Sequence, residues 1–252
     1  MKHILPFILV MCAAAANSQT QPVIFKSPAE QVSLVELYTS EGCSSCPPAE
    51  AWLGRLKTSP RLWQDFVPIA FHVDYWDNLG WRDPFGRKTF SDRQRSYAAR
   101  WQSDSIYTPG FVLNGREWRD WSRVSEPPAP PQRRPGTLEA ANVGTNRWQV
   151  SFHPLQNTNA TFQVHAALLG MELTSDVKAG ENRGRKLPHD FVVLSLLSSL
   201  MSREGDSWQG GLNLATKPDI AAENLALAVW VTESGRLEPI QATGGWLKRA
   251  EK

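Results

Sequence analysis

A pair of cysteines between a buried strand and a helix restricts the fold of this chain more than any other feature. Residues 32–39 are largely apolar, which predicts a strand covered on both faces. Cys43 and Cys46 follow in a loop, and residues 49–57 then show the pattern of a short helix. Two thiols at this spacing can close a disulfide across one turn, and free N–H groups at a helix start stabilise a thiolate. The pattern therefore predicts a redox-active pair.

The residues around the pair predict different roles for the two sulfurs. Gly42 leaves room for a substrate to approach Cys43, so we expect this thiol to be exposed and to act as the nucleophile. Cys46 precedes two prolines and is expected to be the more covered, resolving thiol. Prolines favour the first helical turn, so the helix can also begin at Cys46. In that case its positive end acts on both sulfurs, and the roles can reverse.

Thr108-Pro109 is the second element of the predicted site. It precedes a short strand and Asn114-Gly115, which is a strong hairpin-turn signal. The order of cysteine pair, strand, helix, proline and hairpin predicts a cis bond beside the cysteines. A cis bond exposes the preceding backbone for pairing with an extended substrate segment. An ordinary trans proline at the entry of a strand is the alternative.

Three further residues are candidates for proton transfer during thiol exchange. Glu36 lies on the first strand, and His72 and Asp74 lie where the second strand ends. A structural hydrogen bond or solvent exposure is the alternative for each. The remaining histidines of the mature chain show no metal-like spacing, so no metal site is predicted; they are His153, His165 and His189.

Residues 1–18 have the pattern of a secretory signal peptide. A positive start precedes an apolar run over residues 4–11 and an alanine-rich exit, with cleavage after Ala16 or Ser18. The run is too short to cross a bilayer, so no stable membrane insertion is expected once the signal is removed. A buried N-terminal helix and a lipid anchor on Cys12 are the alternatives. We therefore predict a periplasmic or secreted protein.

The rest of the chain divides at a proline-rich segment. Strands over residues 32–39 and 66–73, a helix over 87–102 and a late hairpin predict an α/β, thioredoxin-like domain over residues 30–124. Five prolines make residues 125–136 a stiff connector. Residues 137–250 are predicted to form a smaller antiparallel β-rich, sandwich-like domain. Five strands are expected there, over residues 136–143, 147–153, 161–169, 191–197 and 225–232. Residues 180–185 are expected to form a solvated turn.

Four segments resemble a known family of secreted bacterial proteins, called domain of unknown function 1223. They are VELYTSEGCSSCPPAEAWL, FHVDYWDNLGWRDPF, YTPGFVLNG and GENRGRKLPHDFVV. The resemblance covers residues 32–250 and implies a thioredoxin-like fold. It does not define a biochemical activity. The chain departs from ordinary thioredoxins in the Ser-Ser pair between its cysteines, in lacking a tryptophan before Cys43, and in lacking a terminal helix after the Trp121 strand.

The predicted function is thiol–disulfide exchange on exported proteins or small thiols, which would make the protein a thiol–disulfide oxidoreductase. Its partners would be exported thiol or disulfide proteins, or a redox partner, and no organic cofactor is implied. The net charge of +2 gives no reason to expect nucleic-acid binding. One alternative is periplasmic binding of a soft ion such as Cu(I) by Cys43, Cys46 and His72. The other is a non-catalytic interaction module.

Overall fold

Strands dominate the part of the chain that the structure describes, which is residues 22–214, 220 and 222–247. The predicted signal peptide lies outside these residues. This computed structural model contains fifteen strands and two α-helices in the described part. Their bounds are β1 Ile24–Lys26, β2 Ser33–Thr39, α1 Pro47–Arg55, β3 Phe66–His72, α2 Lys88–Arg100, β4 Gly110–Leu113, β5 Arg116–Glu117, β6 Gly136–Gly144, β7 Arg147–Pro154, β8 Phe162–Met171, β9 Leu173–Asp176, β10 Lys186–His189, β11 Val192–Leu200, β12 Ser202–Glu204, β13 Ser207–Asn213, β14 Asn224–Glu233 and β15 Pro239–Leu247. None of the described helices is both long and apolar enough to span a bilayer.

One eight-stranded sheet runs through both halves of the chain. Its strand order is β15-β14-β8-β11-β3-β2-β4-β5. The two halves meet where β11 lies parallel to β3, with Val192 opposite Ala70. The N–H of Ala70 donates to the carbonyl of Phe191 at 2.8 Å across this junction. Strands from before and after the proline-rich segment therefore complete a single sheet.

The expected fold class, an α/β thioredoxin-like domain followed by a smaller β-rich domain, is wrong. The chain instead forms a β-rich fold with large sheets and two α-helices in its described part. The strand patterns located most of the individual strands, but they carried no information on which strands pair. The apolar pattern of β3 requires a neighbour on each side, and the second neighbour comes from the far half of the chain.

The proline-rich segment has no helix or strand over residues 124–135, as its composition predicts. It is attached to the first half by side chains. Trp52 donates from Nε1 to the carbonyl of Val124 at 2.7 Å, and Arg61 binds the Glu126 carboxylate at 3.1 Å. The division into separable domains stays a prediction, and the shared sheet argues against it.

The two helices pack on opposite faces of the large sheet, and the side chains of β2 point to each helix in turn. Successive side chains of a strand point to opposite faces. Thr39 faces α1, where its hydroxyl donates to Glu50 at 2.6 Å. Tyr38 faces α2, where its ring lies 6.4 Å from that of Tyr97. The cysteine turn follows β2 directly, so the sheet fixes where that turn emerges.

A second, five-stranded sheet packs on the other end of the large sheet. Its order is β1-β6-β7-β13-β12. Its inward side chains, among them Val150 and Phe152 of β7, pack against Val164 of β8 and Val229 of β14 in one apolar cluster. This sandwich explains the alternating pattern over β6 and β7, since each strand has one buried and one exposed face.

The side chain of His165 gives this fold a specific dependence on pH. Its ring nitrogens are paired with the hydroxyls of Ser198 at 2.7 Å and Thr232 at 3.0 Å. Burial, together with a smaller repulsion from Arg93, lowers the pKa of His165 to about 3. The folded ring is therefore neutral where the unfolded chain takes up a proton, near pH 6.5. This group's contribution to stability is complete above about pH 6.5 and is lost as the pH falls towards 3.

We therefore expect the free energy of unfolding to fall by about 1 kcal/mol per pH unit below pH 6.5 on account of this residue. Urea unfolding between pH 7 and pH 4 measures it. His165→Gln should lose this part of the pH dependence, whereas a substitution at the exposed His153 should keep it. Parallel pH curves for the wild type and His165→Gln would contradict the assignment.

Candidate functional site

The two cysteines lie in a single turn that leads into α1. Cys46 is the N-cap residue of this helix, and Pro47 and Pro48 occupy its first turn. The N–H of Cys46 donates to the carbonyl of Cys43 at 3.3 Å. The positive end of α1 therefore acts on a turn that holds both sulfurs, as the alternative assignment of the helix start predicted.

Neither sulfur is exposed, because Cys43 and Cys46 are 1% and 0% accessible. The expectation that Cys43 is the exposed thiol is therefore wrong. The space at Gly42 is filled by Trp76, whose Cβ would lie 2.9 Å from a side-chain carbon at residue 42. Trp76 is held in place by its Nε1, which donates to the Thr108 hydroxyl at 2.8 Å. Access to Cys43 therefore requires movement of the surrounding loops.

The peptide bond between Thr108 and Pro109 is cis, as the order of elements predicted. The carbonyl of Thr108 lies 3.7 Å from Cys43 Sγ. The hydroxyl of Ser45 lies 3.3 Å from the same sulfur. The proline segment and the cysteine turn are thus direct neighbours, and a hydroxyl is available to donate to a thiolate at Cys43.

The loop between β9 and β10 contacts the cysteine turn. Residues 181–184 form a turn that is mostly exposed, as expected, but its one buried member, Asn182, faces the cysteines. Asn182 is fully buried. Its Nδ2 donates to the carbonyls of Glu41 and Cys43, both at 2.9 Å. The carboxylate of Glu181 accepts from the N–H of Ser44 at 2.9 Å. Asn182 is buried because it satisfies two backbone carbonyls of the cysteine turn.

Three carboxylates and two imidazoles form a buried cluster next to the cysteine turn. Its members are Glu41, Glu50, His72, Asp83 and His189, which we call the acid–histidine cluster. All five are buried, and Glu50, at 8% accessible, is the most exposed of them. They come from the loop after β2, from α1, from the end of β3, from the loop before α2 and from the end of β10. Ionisable groups are seldom buried unless they are paired. The hydrogen bonds and ion pairs of these five side chains therefore determine the chemistry of the cluster.

His189 bridges two carboxylates of the cluster. Its Nδ1 forms a short hydrogen bond with the Glu50 carboxylate, and its Nε2 lies 3.0 Å from Glu41 Oε1. The other oxygen of Glu50 accepts from the Thr39 hydroxyl, and Glu41 accepts from Trp81 Nε1 at 2.6 Å. Burial lowers the pKa of His189, but the two carboxylates outweigh burial and raise that pKa to about 10. His189 is therefore an imidazolium at neutral pH.

His72 is paired with Asp83 in the same cluster. Its Nδ1 lies 2.8 Å from Asp83 Oδ2, which also accepts from the N–H of Glu41 at 2.9 Å. Burial opposes the charged ring, but the Asp83 carboxylate raises the pKa of His72. The rings of His72 and His189 lie 5.2 Å apart, and Phe85 packs against both. In this cluster both imidazoles are therefore paired with carboxylates that favour the protonated ring.

Three members of the cluster also have the arrangement of metal ligands. One ligand atom each from Glu50, His72 and His189 can be chosen so that all lie within 4.8 Å of one another. The Nε2 atom of His72 has no hydrogen-bond partner among the described residues. The arrangement can therefore hold protons or bind a cation.

The other two proton-transfer candidates lie outside the cluster. Glu36 is fully buried on the α2 face of β2, where it accepts from Arg93 Nε at 2.8 Å. Asp74 accepts from the hydroxyl of Ser91 on α2. Of the three sequence candidates, His72 is the one that contacts the acid–histidine cluster directly.

Most of the groups that surround the cysteine turn were not among the residues predicted from the sequence. They are Glu41, Glu50, Asp83, Asn182 and His189. Their positions in the chain hide the cluster, since Glu50 and His189 are 139 residues apart. One signal was available: all five lie inside segments that carry the family resemblance.

Residues 34–232 match the sequence profile of the family described as protein of unknown function (DUF1223). The chain belongs to this family. The match includes the cysteine turn, the cis proline and the whole acid–histidine cluster of this DUF1223 protein. No curated protein matches it.

Two solved structures are similar to this DUF1223 protein. One is the crystal structure of a protein from Agrobacterium tumefaciens, which is 23% identical and has a TM-score of 0.58. That similarity covers 88% of this chain and 97% of the other. The second is HBP35 of Porphyromonas gingivalis, at 11% identity and a TM-score of 0.56, over 89% of this chain and 78% of the other. At these identities the similarities show the fold alone.

Proposed function

We propose that this DUF1223 protein exchanges thiols and disulfides through Cys43 and Cys46. The observation that carries the proposal is the position of both cysteines in one turn at the start of α1, beside the Thr108 carbonyl. Helix starts stabilise thiolates, and the thiolate is the attacking species in disulfide exchange. The neighbouring Ser45 hydroxyl supports Cys43 as the first nucleophile.

The proposed reaction has two steps. The Cys43 thiolate attacks one sulfur of a substrate disulfide, forming a mixed disulfide while the other substrate sulfur leaves as a thiolate. The Cys46 thiolate then attacks Cys43 Sγ, which closes the Cys43–Cys46 disulfide and releases the reduced substrate. Two electrons pass from the cysteine pair to the substrate. The reverse sequence oxidises a substrate dithiol.

The acid–histidine cluster supports proton handling in this reaction. Glu50 lies one helical turn after Cys46, and its N–H donates to the Cys46 carbonyl at 3.1 Å. Its carboxylate is bound to Thr39 and His189, so a proton arriving there has a hydrogen-bonded route into the cluster. We expect these buried groups, which lie close to the cysteine turn, to take up or release protons when the thiols react.

The proposed setting is the periplasm or the cell exterior, because residues 1–18 resemble a signal peptide and disulfide exchange suits an oxidising compartment. The proposed substrates are small thiols and extended segments of exported proteins. Because both sulfurs are covered, a small disulfide should reach them more easily than a protein segment and is the better probe.

Trapping of mixed disulfides tests the proposal. Reduced Cys46→Ser protein mixed with glutathione disulfide should accumulate a glutathione adduct at Cys43, because no thiol remains to resolve it. Cys43→Ser should accumulate much less adduct, and both variants should lose insulin-reduction turnover. Ser44→Ala, at an exposed position between the cysteines, is the matched control and should behave like the wild type. Intact-mass spectrometry measures the adduct, and undiminished turnover in either cysteine variant would refute the proposal.

A further inference from the structure

A buried ring nitrogen in the acid–histidine cluster is not used by thiol exchange. His72 is 1% accessible, and its Nε2 has no hydrogen-bond partner in the described part of the chain. Its Nδ1 is fixed by Asp83, so the ring cannot turn to pair Nε2 without losing that contact. Buried polar atoms are nearly always paired, and an unpaired one in a native protein requires an explanation. A ligand at Nε2 would supply one.

The groups around this imidazole are those that coordinate transition metals. The candidate ligand atoms of Glu50, His72 and His189 lie within 4.8 Å of one another. Tetrahedral zinc, with bonds of about 2.0–2.1 Å, places its ligand atoms about 3.4 Å apart. Small side-chain rotations would therefore bring the three atoms to bonding distance. Two imidazoles and one carboxylate are a known ligand set for zinc and for non-haem iron.

The surroundings of these ligands resemble the outer shell of a metal site. A metal-binding histidine usually donates its second ring nitrogen to a carboxylate, which fixes the ring and raises its basicity. Asp83 makes this contact with His72. The Thr39 hydroxyl donates to the Glu50 carboxylate at 2.6 Å, and Phe85 packs against both imidazoles. The ligands are thus oriented and shielded from water.

Charge favours a divalent cation at this position. The cluster holds three carboxylates, those of Glu41, Glu50 and Asp83, against two imidazoles. We propose that Glu50, His72 and His189 bind one divalent transition-metal cation of the zinc class. The site uses neither cysteine and goes beyond the proposed thiol exchange.

Metal binding by a thiol-free protein tests this proposal. The full chain carrying Cys43→Ser and Cys46→Ser is first stripped with a chelator and then titrated with Zn²⁺ by calorimetry. We expect one equivalent to bind. Adding His72→Gln should weaken binding by more than about 100-fold, because loss of a direct ligand should exceed the 10–100-fold effect of losing an outer-shell partner. His153→Gln, at an exposed histidine, is the matched control and should bind as the parent does.

X-ray absorption at the zinc edge on the thiol-free protein gives a readout that does not depend on how the His72 variant folds. Two imidazole ligands together with oxygen are expected. Absence of bound zinc, a spectrum without imidazole, or unchanged affinity in His72→Gln would each overturn the proposal. Metal retained only when the cysteines are present would also overturn it, and would identify the cysteines as ligands. Thiol exchange assayed separately on metal-free protein distinguishes failure of that activity from failure of this site.

Discussion

Replacing Arg93 by methionine is expected to lower the free energy of unfolding by about 3–5 kcal/mol. The Arg93 side chain is 9% exposed, and its Nε donates to the fully buried Glu36 carboxylate at 2.8 Å. The guanidinium also lies over the rings of Phe71, Tyr97 and Trp230. Removing it leaves a carboxylate in the core with no compensating charge, and this is the costly part of the change. Urea unfolding at pH 7, followed by circular dichroism, measures the effect.

A double-mutant cycle separates the ion pair from packing. Arg93→Met combined with Glu36→Gln should be less destabilised than Arg93→Met alone, since no uncompensated charge remains. Arg95→Met on the same helix is the control. Its side chain is half exposed, so its cost should stay within about 0.5 kcal/mol. Similar losses for Arg93→Met and Arg95→Met would contradict a buried, essential pair. Glu36→Gln should leave thiol exchange intact in the folded protein, which tests the sequence-based proposal that Glu36 transfers protons.

Replacing Asn182 by alanine should expose the cysteines. The Asn182 amide donates to two backbone carbonyls of the cysteine turn, those of Glu41 and Cys43. At about 1 kcal/mol net per hydrogen bond, their loss should favour opening of the turn by about 2 kcal/mol. This corresponds to about 30-fold faster modification of Cys43 under native conditions. Iodoacetamide labelling of the reduced protein, quantified by mass spectrometry, measures the rate.

Asn157→Ala, at an exposed position in the far part of the fold, is the matched control and should label at the wild-type rate. Labelling under denaturing conditions should be equal in all three proteins, which verifies that thiol chemistry itself is unchanged. If Asn182→Ala labels no faster than the control under native conditions, the loop between β9 and β10 does not limit access to Cys43.

Local features of this protein could be predicted from its sequence because they depend on neighbouring residues. The strand and helix that flank the cysteines follow from apolar spacing, and the start of α1 at Pro47 follows from the preference of proline for the first turn. The two-residue hairpin at Asn114 and Gly115 is confirmed by a positive φ at both residues. The pairing of β3 with β11 could not be predicted in this way, because the apolar pattern of a strand does not indicate which other strand lies beside it.

The candidate site also shows that sequence patterns do not reveal which distant segments come together in the fold. The cysteines and the cis proline were found because their order along the chain is informative. The acid–histidine cluster was not found, because its members come from five separate elements that only the folded chain brings together. His189 has no spacing along the chain that indicates a site with another histidine, yet its ring lies 5.2 Å from that of His72. Spacing along the chain reveals a metal or proton site when its ligands share one element, and here they do not.

The shared sheet has a consequence for the order in which this protein can mature. β3 consists of seven buried residues between β2 and β11, and β11 lies more than 100 residues later in the chain. Until that later segment is available, β3 presents an apolar strand edge that other chains can pair with. A fragment ending at the proline-rich segment should therefore aggregate instead of folding. Until its C-terminal strands are synthesised, the unfinished chain would have to stay unfolded or bound to a chaperone.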